Sequence, residues 1–368
     1  MMPGMVAPLL ALLLGTELTL QAGAPLAPAL ALLAPGDTLR LGPGVHRGTL
    51  GRLSGVQVAG AGPGVTVLLA PEGTDGVESW DGTLELSGLT VVAGTRRSAL
   101  KVLGGQVTLR RVALVGGTCG AFVGDGELTG REVLLSGDYG LLITRGTARL
   151  RDLTAFGRGA GLASLHGALE IERAVVTGPS TEGGISVAGG TAKLSDIIIR
   201  RPGPTGLTLT GGDGEASDLV IAGAAGQDAT LGDCVQVRRG TLTLRTSVLM
   251  QCGGAAMEAS GARLLLAGVD AAGGEAGGLI LVGRTTATLD GNRLTRTGPG
   301  LVVIEGSTAR GFGNRFLTNP ALWVDCADGA SALLDGDPDV RRPCASAQGG
   351  GSKAHDPAGP SLDKPPSP

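Results

Sequence analysis

The stretch GQVTLRRVALVGGTCGAFVGD (105–125), followed by GELTGREVLLSGDYGLLITR (126–145), decides the architecture. Each segment begins at Gly, alternates apolar and polar residues, and turns at a charged pair, Arg110-Arg111 or Arg131-Glu132. Each then alternates again, breaks at small residues and ends in a last apolar run. Alternation of period 2 sends one set of side chains to one side of a strand, so each segment reads as three short strands bent around an interior.

The same unit recurs about eleven times between Gly82 and Gly329. First strands carry Val107/Leu109 and Leu169/Ile171, second strands Val112/Leu114 and Ile197/Ile199, and third strands Leu141/Ile143 and Ile185/Val187. No segment sustains a 3.6-residue period, and the unit is too short for a helix pair. Stacking one unit on the next pairs like strands in parallel at about 4.8 Å and turns every apolar set inward. The predicted fold is all-β: a single-stranded right-handed parallel β-helix of about 11–13 coils with a short N-terminal capping helix at Pro25–Leu33. Charged corners such as Arg151-Asp152 and Glu172-Arg173 stack into a ladder that serves solvation and register. Asn292 and Asn314, in matching Gly-Asn-Arg frames, are placed to stack one repeat apart.

Composition narrows the function. Gly accounts for 67 of 368 residues without a Gly-X-Y period, which excludes collagen. Aromatics are 2%, so broad stacking surfaces for sugars or bases are excluded. The net charge of −3 without a basic block argues against nucleic acid. The five cysteines show no metal-ligand spacing, so no zinc site is expected. Cys326 and Cys344 flank the end of the repeats and are expected to be bonded. Cys234 and Cys252, in adjoining repeats, are either bonded or buried thiols.

The ends differ from the middle. Residues 1–15 carry an apolar run from Val6 to Leu14, too short to span a bilayer and suited to a signal peptide. Residues 16–344 form the β-helix domain, with caps at 16–49 and 330–344. Residues 345–368 are rich in Gly, Pro and Ser and read as a disordered tail. The chain is thus expected to be exported, to the periplasm, cell surface or extracellular space, with no transmembrane span.

APGDTLRLGPGVHRG (34–48) and GAGPGVTVL (60–68) resemble the opening turns of the pectin-lyase-like superfamily of right-handed parallel β-helix proteins. The GNRL and GNRF frames at 291–294 and 313–316 resemble late rungs of its bacterial secreted, periplasmic-copper-binding-like subgroup. The resemblance covers about residues 34–330 and implies the fold. The superfamily includes polysaccharide lyases, glycoside hydrolases, pectin esterases, adhesins and catalytically silent proteins, so it implies no single reaction.

An inverting hydrolase needs two carboxylates roughly 6.5–9.5 Å apart on one face, about one to two rungs. The outward positions of the third strands run from Lys101, Phe122 and Leu142 through Gln236 and Met257 or Glu258 to Ile280, Val302 and Trp323. Read this way, the row has no two acids on neighbouring rungs. Loop acids occur at Asp213/Glu215 and Asp228/Asp233 as well as Asp125/Glu127 and Asp138. The strongest polar cluster is Asp125 and Glu127 beside Asp138 and Tyr139, suited to a sugar or to calcium. Phe122, Leu142 and Trp323 form an apolar face for a partner. No catalytic residue or resident metal is expected. The reading is a non-catalytic binding or scaffold module for surface polysaccharide or an envelope protein, with a polysaccharide-active lyase or glycoside hydrolase bearing loop acids as the alternative.

Overall fold

The computed structural model describes residues 15–178, 180–225, 232–317 and 324–335. Its strands form one parallel β-solenoid of about 14 turns, with three rows of strands stacked along an axis. Strand Gln106–Val115 lies between Thr83–Val92 and Glu127–Ile143, so that Val107 stands between Leu84 and Leu128, and Leu114 between Val91 and Leu135. In the third row, Cys119–Val123 lies between Ser98–Val102 and the end of Glu127–Ile143. Each strand thus hydrogen-bonds to the equivalent strand one turn earlier and one turn later.

The interior is aliphatic. Val107, Leu109, Leu114, Ile185, Ile197 and Ile199 are fully buried, and Phe316 is the large aromatic within the core. Between first and second strands the chain turns through a single left-handed residue. Arg111, Glu132, Asp152, Arg173 and Asp196 take φ of 52–55° there, a conformation that costs a non-glycine residue free energy. The position is a sharp exposed corner where charged side chains reach water. In the last turns Gly268, Gly291 and Gly313 occupy the corner instead. The residues that follow the last two, Asn292 and Asn314, are buried. Asn292 Nδ2 donates to Asn314 Oδ1 at 2.9 Å and to the Leu266 carbonyl at 3.0 Å. Asn314 Nδ2 donates to the Leu289 carbonyl at 2.8 Å. The expected amide stack is present, and it satisfies backbone groups that an aliphatic side chain would leave bare.

The coil count exceeds expectation because the N-terminal segment joins the stack. Glu17–Leu20 pairs with Thr38–Leu41, which pairs with Val56–Ala59, all in the first row. Leu26–Leu30 forms one helical turn with Leu26 and Ala29 buried. Glu17–Leu20, in the same coil, has a strand partner on one side only among the described residues, so this turn does not close the edge. At the other end Ser331–Asp335 continues the first row. The 1–14 segment and the 345–368 tail lie outside the described residues, as does the 336–344 portion of the C-terminal cap.

Candidate functional site on the third-row face

Strand register decides which residues share the outer face of the third row. It opens with Arg52 beside Glu78 and Glu78 beside Lys101. Phe122 and Leu142 follow as neighbours, both half-buried. Ala163, Ser186 and Thr208 form the middle. Gln236 then lies beside Glu258, and Ile280 beside Val302. One open alternative is decided and one assignment differs from expectation. Met257 points inward and is 2% exposed, leaving Glu258 on the face. Val302 pairs with Asp325, so Asp325 rather than Trp323 ends the row. Trp323 lies outside the described residues. Small and polar side chains separate the two apolar pairs, so the face has no continuous apolar stripe.

The acids first singled out do not converge. Asp138 precedes its third-row strand: its N–H donates to the Gly117 carbonyl, just ahead of Cys119–Val123. Asp125 comes just after Cys119–Val123, and Glu127 already belongs to the first row. Each is matched to a cation or a hydroxyl. Arg145 Nε and Nη2 donate to Asp125 at 2.6 and 2.9 Å, holding its carboxyl below the usual range. Arg149 pairs with Glu127 and, at 3.1 Å, with Glu170. Arg158 pairs with Asp138 at 2.7 Å. Tyr139 Oη donates to Glu182 at 2.7 Å, and that bond pushes the phenol up to about 12. Among the described residues no group of three or more His, Cys, Asp or Glu is disposed to hold a metal ion.

A different pair meets at the start of the third row. Asp233 opens the strand Asp233–Arg238, and Glu258 lies in the next strand, Ala255–Ser260. Asp233 Oδ1 accepts the Ala255 N–H at 2.7 Å. Asp233 and Glu258 thus come together across one step of the stack. Burial, then the Asp233 charge, raise the Glu258 carboxyl above its ordinary range, and Arg238 opposes them. Gly254 makes the arrangement possible, since a Cβ there would meet Asp233 Oδ1 at 2.4 Å.

A disulfide, Cys234–Cys252, holds the surrounding segments. Cys234 adjoins Asp233, and Cys252 leads into the strand that carries Glu258. Cys326 is also disulfide-bonded, while its expected partner Cys344 lies outside the described residues. Cys119 is a buried free thiol, pushed up to about 12 by burial.

Asp233 and Glu258 were both legible as acids but not as neighbours. The usable signal was register: aligning the inward Val235 and Val237 with Met257 and Ala259 places Glu258 outward beside Gln236. A carboxyl raised above its ordinary range beside a second carboxylate provides a donor and an acceptor at one point, which is the requirement of general acid–base chemistry.

No protein-family model matches the chain, and no curated protein matches it in sequence. Solved structures do match. The catalytic domain of a GH87 alpha-1,3-glucanase in complex with tetrasaccharides is 11% identical with a TM-score of 0.50, over 92% of this chain and 71% of that one. An Acinetobacter phage tailspike is 11% identical with a TM-score of 0.46, over 92% and 66%. The A-module of an Azotobacter vinelandii mannuronan C-5 epimerase is 14% identical with a TM-score of 0.35, over 82% and 90%. The fold they share with this chain is the parallel β-helix.

The expectation of a non-catalytic binding or scaffold module is corrected at this point. It rested on a row without neighbouring acids, and Asp233, at the start of that row, with Glu258 on its outer face supplies such neighbours. The fold is shared with a glucanase catalytic domain, and the polysaccharide-active alternative is taken up below.

Proposed function

We propose that this protein is a polysaccharide-active enzyme that cleaves a glycosidic bond on the outer face of the third row. Glu258 is the general acid and Asp233 its carboxylate partner. What supports this reading is the placement of the two acids on adjacent rungs, where Asp233 Oδ1 holds the Ala255 N–H at the head of the Glu258 strand and burial, then the Asp233 charge, raise Glu258 above the ordinary carboxyl range. A carboxyl that keeps its proton can deliver it to the departing glycosidic oxygen. Asp233 lies against Glu258, closer than the roughly 6.5–9.5 Å of an inverting pair, so its role is to hold and orient the Glu258 proton, and the attacking water gives up its own proton to bulk water as it adds across the broken bond. Gln236 and Arg238, on the same strand as Asp233, offer donors to sugar hydroxyls. The likeness of fold to a glucanase catalytic domain supports the substrate class.

Export belongs to the same proposal. The Cys234–Cys252 disulfide supports it, because such bonds persist in oxidising compartments. No helix among the described residues is long and apolar enough to cross a membrane. The glycan is the proposed partner.

The test is a screen of neutral and acidic polysaccharides for release of reducing ends, with ultraviolet absorbance followed for the unsaturated ends a lyase would leave. Hydrolysis is expected, abolished by Glu258→Gln and by Asp233→Asn. Release that persists in both variants sinks the assignment, and unsaturated product moves the chemistry to elimination.

A further inference from the structure

A second organised patch lies at the N-terminal end of the same face. Trp80 follows the strand Val77–Ser79 and is 48% exposed. It is nevertheless held at two points. Its indole N–H donates to Glu78 Oε2 at 2.9 Å, and the Arg52 guanidinium lies 5.5 Å from the ring centroid. Arg52 is in turn bonded to Asp81 at 2.8 Å. Glu78 and Trp80 are two residues apart and so share one side of the chain, and Lys101 stands beside Glu78 on the next rung. An exposed aromatic fixed in this way has little rotamer freedom left to lose on binding. Its flat apolar ring and flanking polar groups match a pyranose, which presents a C–H face and a rim of hydroxyls.

The charges around the ring cancel. Asp75, Glu78 and Asp81 face Arg52, Arg97 and Lys101, with Asp75 3.7 Å from Lys101 and 4.0 Å from Arg97. A balanced set has no preference for a polyanion, so the chemistry selects a neutral glycan. The patch is continuous with the Asp233–Glu258 pair. Eight inter-strand steps separate Glu78 from Glu258, about 38 Å at about 4.8 Å per rung. Between them the row runs through Phe122 and Leu142 to the smaller Ala163, Ser186 and Thr208.

We propose that Trp80, with Glu78 and Lys101, is a distal docking site for a neutral polysaccharide chain that runs along the third-row face to Asp233 and Glu258. The inference rests on the reading of that face as the polysaccharide site. It adds a substrate class, neutral and long enough to span both ends, and a residue that distinguishes polymer from oligosaccharide.

The experiment uses the full chain carrying Glu258→Gln, to hold substrate uncut, and Trp323→Phe, to leave Trp80 as the single tryptophan. Laminarin, dextran and soluble starch are titrated as neutral probes, each beside its tetrasaccharide, with polymannuronate as the charged control. At least one neutral polymer is expected to shift Trp80 emission and to bind about tenfold or more tighter than its tetrasaccharide. Calorimetry on Trp80→Ala should show that advantage lost with tetrasaccharide affinity unchanged, and Trp80→Phe should restore part of it. The inference is overturned if no neutral polymer moves the emission, if only polymannuronate does, or if Trp80→Ala binds polymer as tightly as its parent. Turnover with an unchanged KM for polymer in Trp80→Ala removes the docking site and leaves the hydrolase reading standing. Trp80-dependent binding without turnover does the reverse.

Discussion

Acids in the middle turns and acids near Cys234 are handled in opposite ways. Asp125, Asp138 and Asp152 each meet an arginine about one turn on: Arg145, Arg158 and Arg173. Asp233 meets another acid, Glu258, across the same kind of step. Rungs about 4.8 Å apart bring such residues into contact whatever their sign. Opposite charges there stabilise register weakly, because the groups are exposed and screened. Like charges there are unfavourable unless a proton is shared. The stack therefore tolerates at one place an arrangement it avoids elsewhere, and that contrast marks the site more clearly than the number of acids does.

The largest expected effect breaks the contrast at the carboxyl pair. Glu258→Gln or Asp233→Asn should lower kcat by about 10²–10⁴-fold, the range for loss of a general acid or base, measured as reducing-end release. Asp138→Asn should stay within about twofold of the parent, since its partner is Arg158 and it lies off the pair. Equal losses at Asp138 and Glu258 would erase the distinction.

Reduction of Cys234–Cys252 comes next. The bond closes a loop with a sequence separation of 18, and its loss is expected to cost about 3 kcal/mol by loop-closure entropy. Denaturant unfolding of a Cys234→Ala/Cys252→Ala variant reads this directly. Activity should fall with it as the segments bearing Asp233 and Glu258 loosen.

The two regions should also answer pH with opposite sign. Glu258 has a raised folded pKa, so the stability it contributes is present below its unfolded value and lost as pH rises through the folded one. Turnover falls over that same rise because the acid form is consumed. Asp125 and Asp152 have lowered pKa values, caused first by hydrogen bonds from Arg145 and Arg173. Their contribution is present above the unfolded value and lost as pH falls through the folded one. Melting curves of Glu258→Gln and Asp152→Asn against pH should therefore differ from the parent at opposite ends. The smallest effect is Arg173→Ala, a loss on the order of 1 °C in melting temperature that salt diminishes.

Much of the fold was legible before any coordinates. Leu169/Ile171 and Ile185/Val187 announce their strands by alternation alone, and the stacked Asn292 and Asn314 follow from matching frames. The joining of Glu17–Leu20 to the stack was less visible, because it lies ahead of the first regular turns, in a segment that reads as a cap. His46 is fully buried, and its ring Nε2 donates to the Gly42 carbonyl at 2.9 Å. The site was harder still. Asp233 reads as a loop acid, Glu258 competes with Met257 for the outward position, and Trp80 lies in an irregular early turn. A one-residue slip reverses the face of every side chain in a strand, so the outer row could not be read without the pairing.

By itself the sequence determined a β-helix with an aliphatic interior, because period-2 alternation and burial are local and repeat in every unit. It also determined which acids the chain owns. Only the tertiary structure decided which of them meet. Contacts between turns depend on register and on loop lengths, and these place Asp233 against Glu258, Asp125 against Arg145, and Trp80 on the same face as Glu258.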